Sequence, residues 1–146
     1  MDSKIILLVE DNPDDEMLML RALEKNRIAN EVVVTRDGAE ALDFLFGQGK
    51  FEGRDTSQTP QLTLLDLKLP KISGLEVLRQ IREDERTKYM PVVVLTSSSE
   101  QEDVVRSYDL GANSFVQKPV DFNRFIEATR QLGTYWLIIN KSAARA

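Results

Sequence analysis

Four short apolar runs in this chain each end in a polar residue. The runs are residues 4–9, 61–65, 90–95 and 114–116, and the polar residues that follow them are Glu10 and Asp11, Asp66, Thr96, and Lys118. Unbroken apolar runs of this length are typical of strands buried on both faces of a parallel sheet. The carboxyl ends of parallel strands lie together at one edge of the sheet, where open α/β sheets place their sites. The pattern therefore predicts a pocket with carboxylates, a hydroxyl and an ammonium.

The charges of this predicted pocket require a cation. Like charges a few ångströms apart raise one another's pKa, so Glu10, Asp11 and Asp66 need compensation. Lys118 supplies one positive charge. A hard divalent ion would supply the rest, and Mg²⁺ suits a site with few protein ligands because it keeps several of its waters. The sequence therefore predicts a magnesium site at the edge of the sheet.

The composition excludes several classes of function. The chain has 146 residues, 42% hydrophobic and 29% charged, which is typical of one globular domain with a hydrophobic core. Its formal net charge of −5 argues against nucleic acid as a partner. It has no cysteine and no histidine, which excludes disulfides, thiolate metal sites and histidine-based catalysis. The first residues are too weakly apolar for a signal peptide or a membrane span, so we expect a cytoplasmic protein without a membrane partner.

Helical patterns alternate with the apolar runs. The sequence predicts a further strand at 31–35 and helices at 13–25, at 39–46 after the cap Asp37, after the cap Ser73, at 100–110 before Gly111, and from about 121. Strands that alternate with helices predict an α/β fold, here a five-stranded doubly wound parallel sheet with five helices. Residues 47–60 lack periodicity and predict a long surface loop.

The ordered set of motifs resembles the receiver domains of two-component response regulators. The matching residues are Glu10 and Asp11 after the first strand, Asp66 after the third, Pro70 and Gly74 beyond it, Thr96 and Ser97 after the fourth, and Lys118 and Pro119 after the fifth. The resemblance covers residues 4–132 and implies a flavodoxin-like, CheY-like sheet with strand order 2-1-3-4-5. Residues 1–132 are therefore predicted to form the receiver domain. Residues 133–146 are predicted to form a C-terminal arm or helix, with no separate output domain.

The resemblance implies a role for each acidic residue of the pocket. Asp66 would be the phosphoacceptor, because its carboxylate would attack a phosphoryl group carried by a histidine of a sensor kinase. Asp11 and Asp66 would bind Mg²⁺ through their side chains, Lys68 through its backbone carbonyl, and Glu10 through a water. The chain would then catalyse only its own phosphotransfer and slow self-dephosphorylation, and would not otherwise be an enzyme.

The resemblance also implies roles for the remaining residues of the motif. They would stabilise the phosphoryl group and change conformation in response to it. Lys118 would neutralise the phosphoryl oxygens, and Thr96 would donate its hydroxyl to one of them. Phe115 lies where the family carries an aromatic switch residue. Movement of Thr96 would vacate space for that ring, which is a two-state population shift. The bond before Pro119 is expected to be cis, which would point the Lys118 side chain into the site.

Three other interpretations use parts of the same pattern. A phosphatase or phosphotransferase of the haloacid dehalogenase type also uses a strand-end Asp and Mg²⁺, but it needs a second acid where this chain has Lys68. A flavodoxin-type cofactor binder would need a phosphate-binding loop after the first strand, where this chain has residues 11–14 with the acids Asp11 and Asp14, which would repel phosphate. The last alternative is a receiver-like binding module that takes no phosphate, and the complete set of pocket residues argues against it.

The carboxyl-terminal residues predict protein contacts. Five consecutive apolar residues cannot all face one side of a helix or strand, so some would be exposed in a monomer. These residues are predicted to form a homodimer contact or a docking arm: Tyr135, Trp136, Leu137, Ile138 and Ile139. With no output domain, the signal would leave through a downstream protein or a phosphotransfer partner.

A narrower resemblance concerns the kinase. The loop at residues 47–60, Lys68 within the sequence Leu-Asp-Leu-Lys-Leu-Pro, and the apolar extension together resemble stand-alone receivers that serve phytochrome-type photoreceptor histidine kinases in bacteria. The expected partner is therefore a sensor histidine kinase of the phytochrome type.

Overall fold

Residues 5–25, 30–97, 101–118 and 123 are the part of the chain that the computed structural model describes. The strands are β1 (Ile5–Val9), β2 (Glu31–Thr35), β3 (Leu62–Asp66), β4 (Val92–Thr96) and β5 (Ser114–Gln117). The helices are α1 (Pro13–Lys25), α2 (Gly38–Phe46), α3 (Gly74–Glu83) and α4 (Gln101–Asp109). All strand pairs are parallel and the order is β2-β1-β3-β4-β5, which confirms the predicted fold class.

The central strands are buried because helices cover both faces of the sheet. Every residue of β3 and β4 is buried, which is why these segments are unbroken apolar runs instead of alternating ones. One core lies between the sheet and helices α2 and α3, and it includes Leu7, Val9, Leu65, Ala41, Leu45, Leu78 and Ile81. The other core lies against α1 and includes Ile6, Leu8, Leu64, Leu95, Met19 and Leu23. This packing holds the strand ends in a fixed order.

Side-chain caps begin three of the helices. Asp37 accepts the N–H of Glu40 at 2.7 Å and Ser73 accepts the N–H of Glu76 at 3.2 Å, as the sequence predicts. Helix α1 is capped by Asn12, whose side-chain oxygen accepts N–H groups of the first turn at 2.8 and 3.2 Å. That cap was not predicted. It satisfies two backbone N–H groups of the acidic first turn of α1.

The loop at residues 47–60 is more ordered than its composition predicts. It contains a 3₁₀ turn at Gly49–Phe51, and the Phe51 ring meets the Phe44 ring edge-on with 5.1 Å between their centroids. Arg54 donates hydrogen bonds to the carbonyls of Phe44 at 2.6 Å and Leu45 at 3.3 Å. These contacts satisfy carbonyls at the end of α2, a tertiary effect that local periodicity does not reveal.

Several predictions fall outside the described residues. These are the cis bond before Pro119, residues 133–146 with the apolar segment 135–139, and the fifth helix, of which only Asn123 is described as helical. The described part of the chain therefore shows four of the five predicted helices. Among the helices that the structure describes, none is long and apolar enough to cross a membrane.

Candidate functional site

The predicted pocket residues lie at one edge of the sheet because the strand register aligns the strand ends. Asp66 ends β3 and pairs with Leu95, the residue before Thr96. Glu10 follows Val9, and Val9 pairs with Leu65 beside Asp66. The backbone N–H of Lys118 donates a hydrogen bond of 2.7 Å to the carbonyl of Thr96, which brings the end of β5 to the same edge.

Lys118 joins three carboxylates in this pocket. Its Nζ lies 2.5 Å from Oε1 of Glu10, 3.0 Å from Oδ2 of Asp15 and 3.1 Å from Oδ2 of Asp66. The Lys118 side chain is 10% exposed. An ammonium has three N–H donors, so each donor has one carboxylate acceptor. The structure thus places Lys118 as the counter-charge of Glu10 and Asp66.

Asp15 was missed as a site residue by the sequence analysis. It belongs to the acidic first turn of α1, where acids are also favoured by the helix dipole. It is the third residue of α1, which begins four residues after the end of β1. The neighbouring acids Asp14 and Glu16 have nearly the same spacing, so the sequence pattern alone does not select Asp15.

Both side-chain oxygens of Asp66 have hydrogen-bond donors, although the residue is only 7% exposed. Oδ2 accepts from Lys118, and Oδ1 accepts the backbone N–H of Lys68 at 3.3 Å. The following backbone is tightly packed, because a Cβ atom on Gly74 would lie 2.2 Å from the carbonyl oxygen of Asp66. Gly74 is therefore a steric requirement of the loop that carries Asp66.

Burial and charge shift the protonation of two groups in the pocket. Burial raises the pKa of Glu10 from 4.5 to about 7, and the nearby charge of Asp66 adds to this rise while Lys118 opposes it. Burial also acts to lower the pKa of Lys118. The carboxylates of Glu10, Asp15 and Asp66 outweigh this effect and hold that pKa above its ordinary value. The ammonium therefore stays charged throughout the neutral pH range.

The acidic residues of the pocket fit a divalent cation. One carboxylate oxygen from each of Glu10, Asp11 and Asp66 lies within 4.8 Å of the others. Glu10 has both oxygens engaged, by Lys118 and by the N–H of Asn12 at 3.2 Å. Asp11 is exposed, so its carboxylate can meet an incoming ion directly. A set of carboxylate oxygens is the donor type that Mg²⁺ and similar hard cations prefer.

The two predicted switch residues share one face of the sheet. Thr96 lies two residues after Val94 on β4, and Val94 pairs with Phe115 on β5. Side chains two residues apart on a strand point to the same face. Thr96 is fully buried, and the half-buried Phe115 packs against the core formed by α2 and α3. The side chains of Thr96 and Phe115 therefore point to the same face of the sheet.

The fold and the pocket are those of a known family of signalling modules. Residues 6–130 match the response regulator receiver domain, and the chain belongs to this family. Receiver domains are signalling proteins, and membership implies a sensor histidine kinase as partner and a divalent cation at the acidic cluster. The resemblance predicted from the sequence is confirmed.

Individual relatives are similar over nearly their whole length. The response regulator Rcp1 of Synechocystis is 40% identical over 92% of this chain and 89% of that protein. The probable methanogenesis regulatory protein FilR2 of Methanothrix harundinacea is 42% identical over 99% of this chain and 91% of that protein.

Solved structures of response regulators are similar as well. The bacteriophytochrome response regulator RtBRR has a TM-score of 0.84 and 52% identity, covering 92% of this chain and 80% of that one. AtBRR, another bacteriophytochrome response regulator, has a TM-score of 0.83 and 54% identity, and the match covers 92% of this chain and 95% of that one. A Mn²⁺-bound form of Rcp1 has a TM-score of 0.76 and 38% identity, and the match covers 91% of this chain and 94% of that one.

Proposed function

We propose that this chain accepts a phosphoryl group from a sensor histidine kinase on Asp66 and signals through a change of conformation. The observation that carries the proposal is the setting of Asp66. It is a buried strand-end carboxylate that touches Lys118 and lies within the acidic cluster. Family membership disfavours the phosphatase interpretation, and Lys68 occupies the position where that class needs an acid.

The proposed chemistry follows from the contacts of the pocket. An oxygen of Asp66 forms a bond to phosphorus as the phosphorus–nitrogen bond of the kinase phosphohistidine breaks, and the electron pair stays on the imidazole. Lys118 neutralises charge on the phosphoryl oxygens, and Thr96 donates its hydroxyl to them. A bound divalent cation supplies further stabilisation of the same charge. The product is an acyl phosphate on a carboxylate already held by the fold.

Beryllofluoride, which mimics an aspartyl phosphate, tests the acceptor directly. With Mg²⁺ it should bind the wild type and fail to bind Asp66→Asn, as followed by ¹⁹F NMR. Asp43→Asn, which changes an acid on α2 outside the cluster, is the matched control and should bind normally. Stoichiometric labelling of Asp66→Asn by the kinase would refute the assignment.

The resident ion is proposed to be Mg²⁺, bound by the side chains of Asp11 and Asp66, the carbonyl of Lys68, and Glu10 through a water. The exposed carboxylate of Asp11 supports its role as a direct ligand. The oxygens of Glu10 already accept hydrogen bonds from Lys118 and Asn12, which supports a contact through a water. Calorimetric titration with Mg²⁺ should show severe weakening in Asp11→Ala and a milder effect in Glu10→Gln. Asp14→Ala, an exposed acid outside the cluster, is the control. The reverse order would overturn the ligand assignment.

The conformational response is proposed to run from Thr96 to Phe115. The shared face of the two side chains supports this coupling. Beryllofluoride should shift the NMR resonances of the Phe115 ring in the wild type. Thr96→Val keeps the shape of the side chain but removes the hydroxyl, so it should bind beryllofluoride without that shift. An unchanged ring shift in Thr96→Val would exclude Thr96 as the trigger.

The kinase is proposed to be of the phytochrome type. Two similar structures, at 52% and 54% identity, are bacteriophytochrome response regulators by name. Purified phosphorylated kinases of the phytochrome type should transfer to the wild type within seconds to minutes, and kinases of other sensor types far more slowly. Equal or faster transfer from a different sensor class would reject this partner.

Residues 135–139 are proposed to hold a homodimer, and a downstream protein or phosphotransfer partner is proposed to receive the signal. The consecutive apolar side chains at these positions support the dimer. Sedimentation should show a wild-type dimer that is lost when Trp136→Ala and Ile139→Ala are combined. A wild type that stays monomeric at high concentration, with and without beryllofluoride, would leave this segment as a docking site for another protein.

A further inference from the structure

Among the described residues, three carboxylates already use the three N–H donors of the Lys118 ammonium. Its hydrogen bonds go to Glu10, Asp15 and Asp66, one carboxylate for each N–H. A phosphoryl group on Asp66 brings new anionic oxygens to the same ammonium. One of these oxygens can take over the N–H that Asp66 already holds. Lys118 must therefore release a further acceptor in order to donate a second hydrogen bond to the phosphoryl group.

The three acceptors differ in how easily they can be released. The side chain of Glu10 is 3% exposed and that of Asp66 is 9% exposed, whereas that of Asp15 is 35% exposed. Releasing Glu10 would leave a buried carboxylate without its counter-charge, which is the costly outcome for an ion pair inside a protein. Asp66 carries the phosphoryl group, so the donor that it uses before phosphorylation passes to its own phosphoryl oxygen. Asp15 can be rehydrated, so it is the acceptor that leaves at the lowest cost.

We propose that Asp15 is a positioning residue that holds Lys118 before phosphorylation and is displaced from it by a phosphoryl oxygen. This inference rests on the proposed phosphoacceptor role of Asp66. Asp15 then competes with the phosphoryl group for the same donor, so it weakens the affinity of the pocket for that group. Because Asp15 lies in the first turn of α1, the contact between that turn and Lys118 then depends on the phosphorylation state.

Paired variants separate this exchange from a general effect of charge. Asp15→Asn removes the competing carboxylate, and Asp14→Asn removes the same charge from the same helical turn. Asp14 is exposed, and within the described part of the chain the acceptors of Lys118 are Glu10, Asp15 and Asp66. With Mg²⁺, beryllofluoride should bind Asp15→Asn about five- to tenfold more tightly than the wild type. It should bind Asp14→Asn within about twofold of the wild type, because that carboxylate is more distant and screened by solvent.

A second readout follows the ammonium itself. The exchange of the Lys118 ammonium hydrogens with water can be followed by ¹⁵N-edited NMR. It should be slow in the wild type, because all three hydrogens are hydrogen-bonded. They should exchange faster in Asp15→Asn with Mg²⁺ alone, because a neutral amide oxygen is a weaker acceptor than a carboxylate, and slow again when beryllofluoride is added. Asp15→Glu, which restores a carboxylate, should return both the affinity and the exchange rate toward wild-type values.

The outcomes distinguish the two proposals. If the wild type binds beryllofluoride but Asp15→Asn and Asp14→Asn bind it equally well, the exchange is overturned and the phosphoacceptor stands. If Asp15→Asn binds it more weakly, Asp15 supports the phosphoryl state and the exchange is again overturned. If the wild type does not bind it, the phosphoacceptor role of Asp66 fails, and the exchange fails with it.

Discussion

Lys118 Nζ donates a hydrogen bond of 3.1 Å to Oδ2 of Asp66, a residue 52 positions earlier in the chain. The same ammonium lies 2.5 Å from Oε1 of the buried Glu10. One cation thus compensates both buried carboxylates of the pocket. Its removal should affect the stability of the fold as well as the chemistry of the site.

Replacing Lys118 by Met should destabilise the metal-free protein. The substitution keeps most of the apolar stem but leaves Glu10 and Asp66 without their counter-charge, which costs about 3 kcal/mol for a buried pair. Urea denaturation at pH 8 measures the loss, which should shrink as the pH falls and Glu10 takes up a proton. Lys50→Met is the control, because the Lys50 side chain is 66% exposed and its ion pair with Glu40 should contribute at most about 1 kcal/mol. Equal losses in the two variants would contradict the prediction.

Glu10 should titrate near pH 7 in the metal-free protein. Its pKa of about 7 lies above the ordinary value of 4.5, because burial disfavours the charged carboxylate. The folded state therefore binds this proton more tightly than the unfolded state. The stabilisation is complete below pH 4.5 and is lost as the pH rises through about 7.

Carbon-13 NMR of the glutamate carboxyl groups measures this titration, and Glu10→Gln assigns the signal. Mg²⁺ should lower the midpoint because it favours the charged carboxylate. Mg²⁺ should also bind the wild type more weakly at pH 6 than at pH 8, and Glu10→Gln should show less of this dependence. A midpoint near the ordinary value in metal-free protein would disprove the shift.

Replacing Lys68 by Ala should shorten the lifetime of the phosphoryl group. Lys68 lies two residues after Asp66, its backbone N–H donates to Oδ1 of Asp66, and the residue is exposed. A long side chain there obstructs the water that attacks the acyl phosphate in line, and positioning dominates this chemistry. Release of inorganic phosphate should therefore become several-fold faster in Lys68→Ala.

Two further variants test the steric explanation. Lys68→Met keeps the length of the side chain without its charge and should lose phosphate at close to the wild-type rate. Lys71→Ala removes a lysine from the same loop and should also leave the rate unchanged. Should Lys68→Met lose phosphate as fast as Lys68→Ala, charge rather than obstruction would control the lifetime.

Replacing Gly74 by Ala should destabilise the fold and disturb the metal site together. The added Cβ would lie 2.2 Å from the carbonyl oxygen of Asp66 and 2.6 Å from Cα of Leu67, so the backbone must shift, at a cost of about 2–3 kcal/mol. Gly53→Ala is the control. Its Cβ would meet open space, and only its φ of +92° adds about 1 kcal/mol of strain. Denaturation and Mg²⁺ titration measure both effects, and wild-type Mg²⁺ affinity in Gly74→Ala would show that Asp66 had not moved.

Local patterns predicted much of the fold correctly. The predicted strand at 31–35 and helix at 13–25 have the observed bounds, because unbroken β-branched runs and acidic helix starts are signals contained in a few neighbouring residues. The caps Asp37 and Ser73 were predicted for the same reason. The order of the loop at 47–60 was missed, because Arg54 binds the carbonyls of a preceding helix. Such a contact depends on packing that a local pattern does not contain.

The sequence by itself determined the α/β class and the set of strand-end residues, because a parallel sheet places every strand's carboxyl end at one edge. It therefore identified Glu10, Asp66 and Lys118 as neighbours. The tertiary structure alone decided which acid of the α1 first turn meets the ammonium. Asp15 reaches Lys118 at 3.0 Å from the first turn of α1, which the side-chain oxygen of Asn12 caps. Several neighbouring acids satisfy the same local preference, and only packing in three dimensions selects one of them.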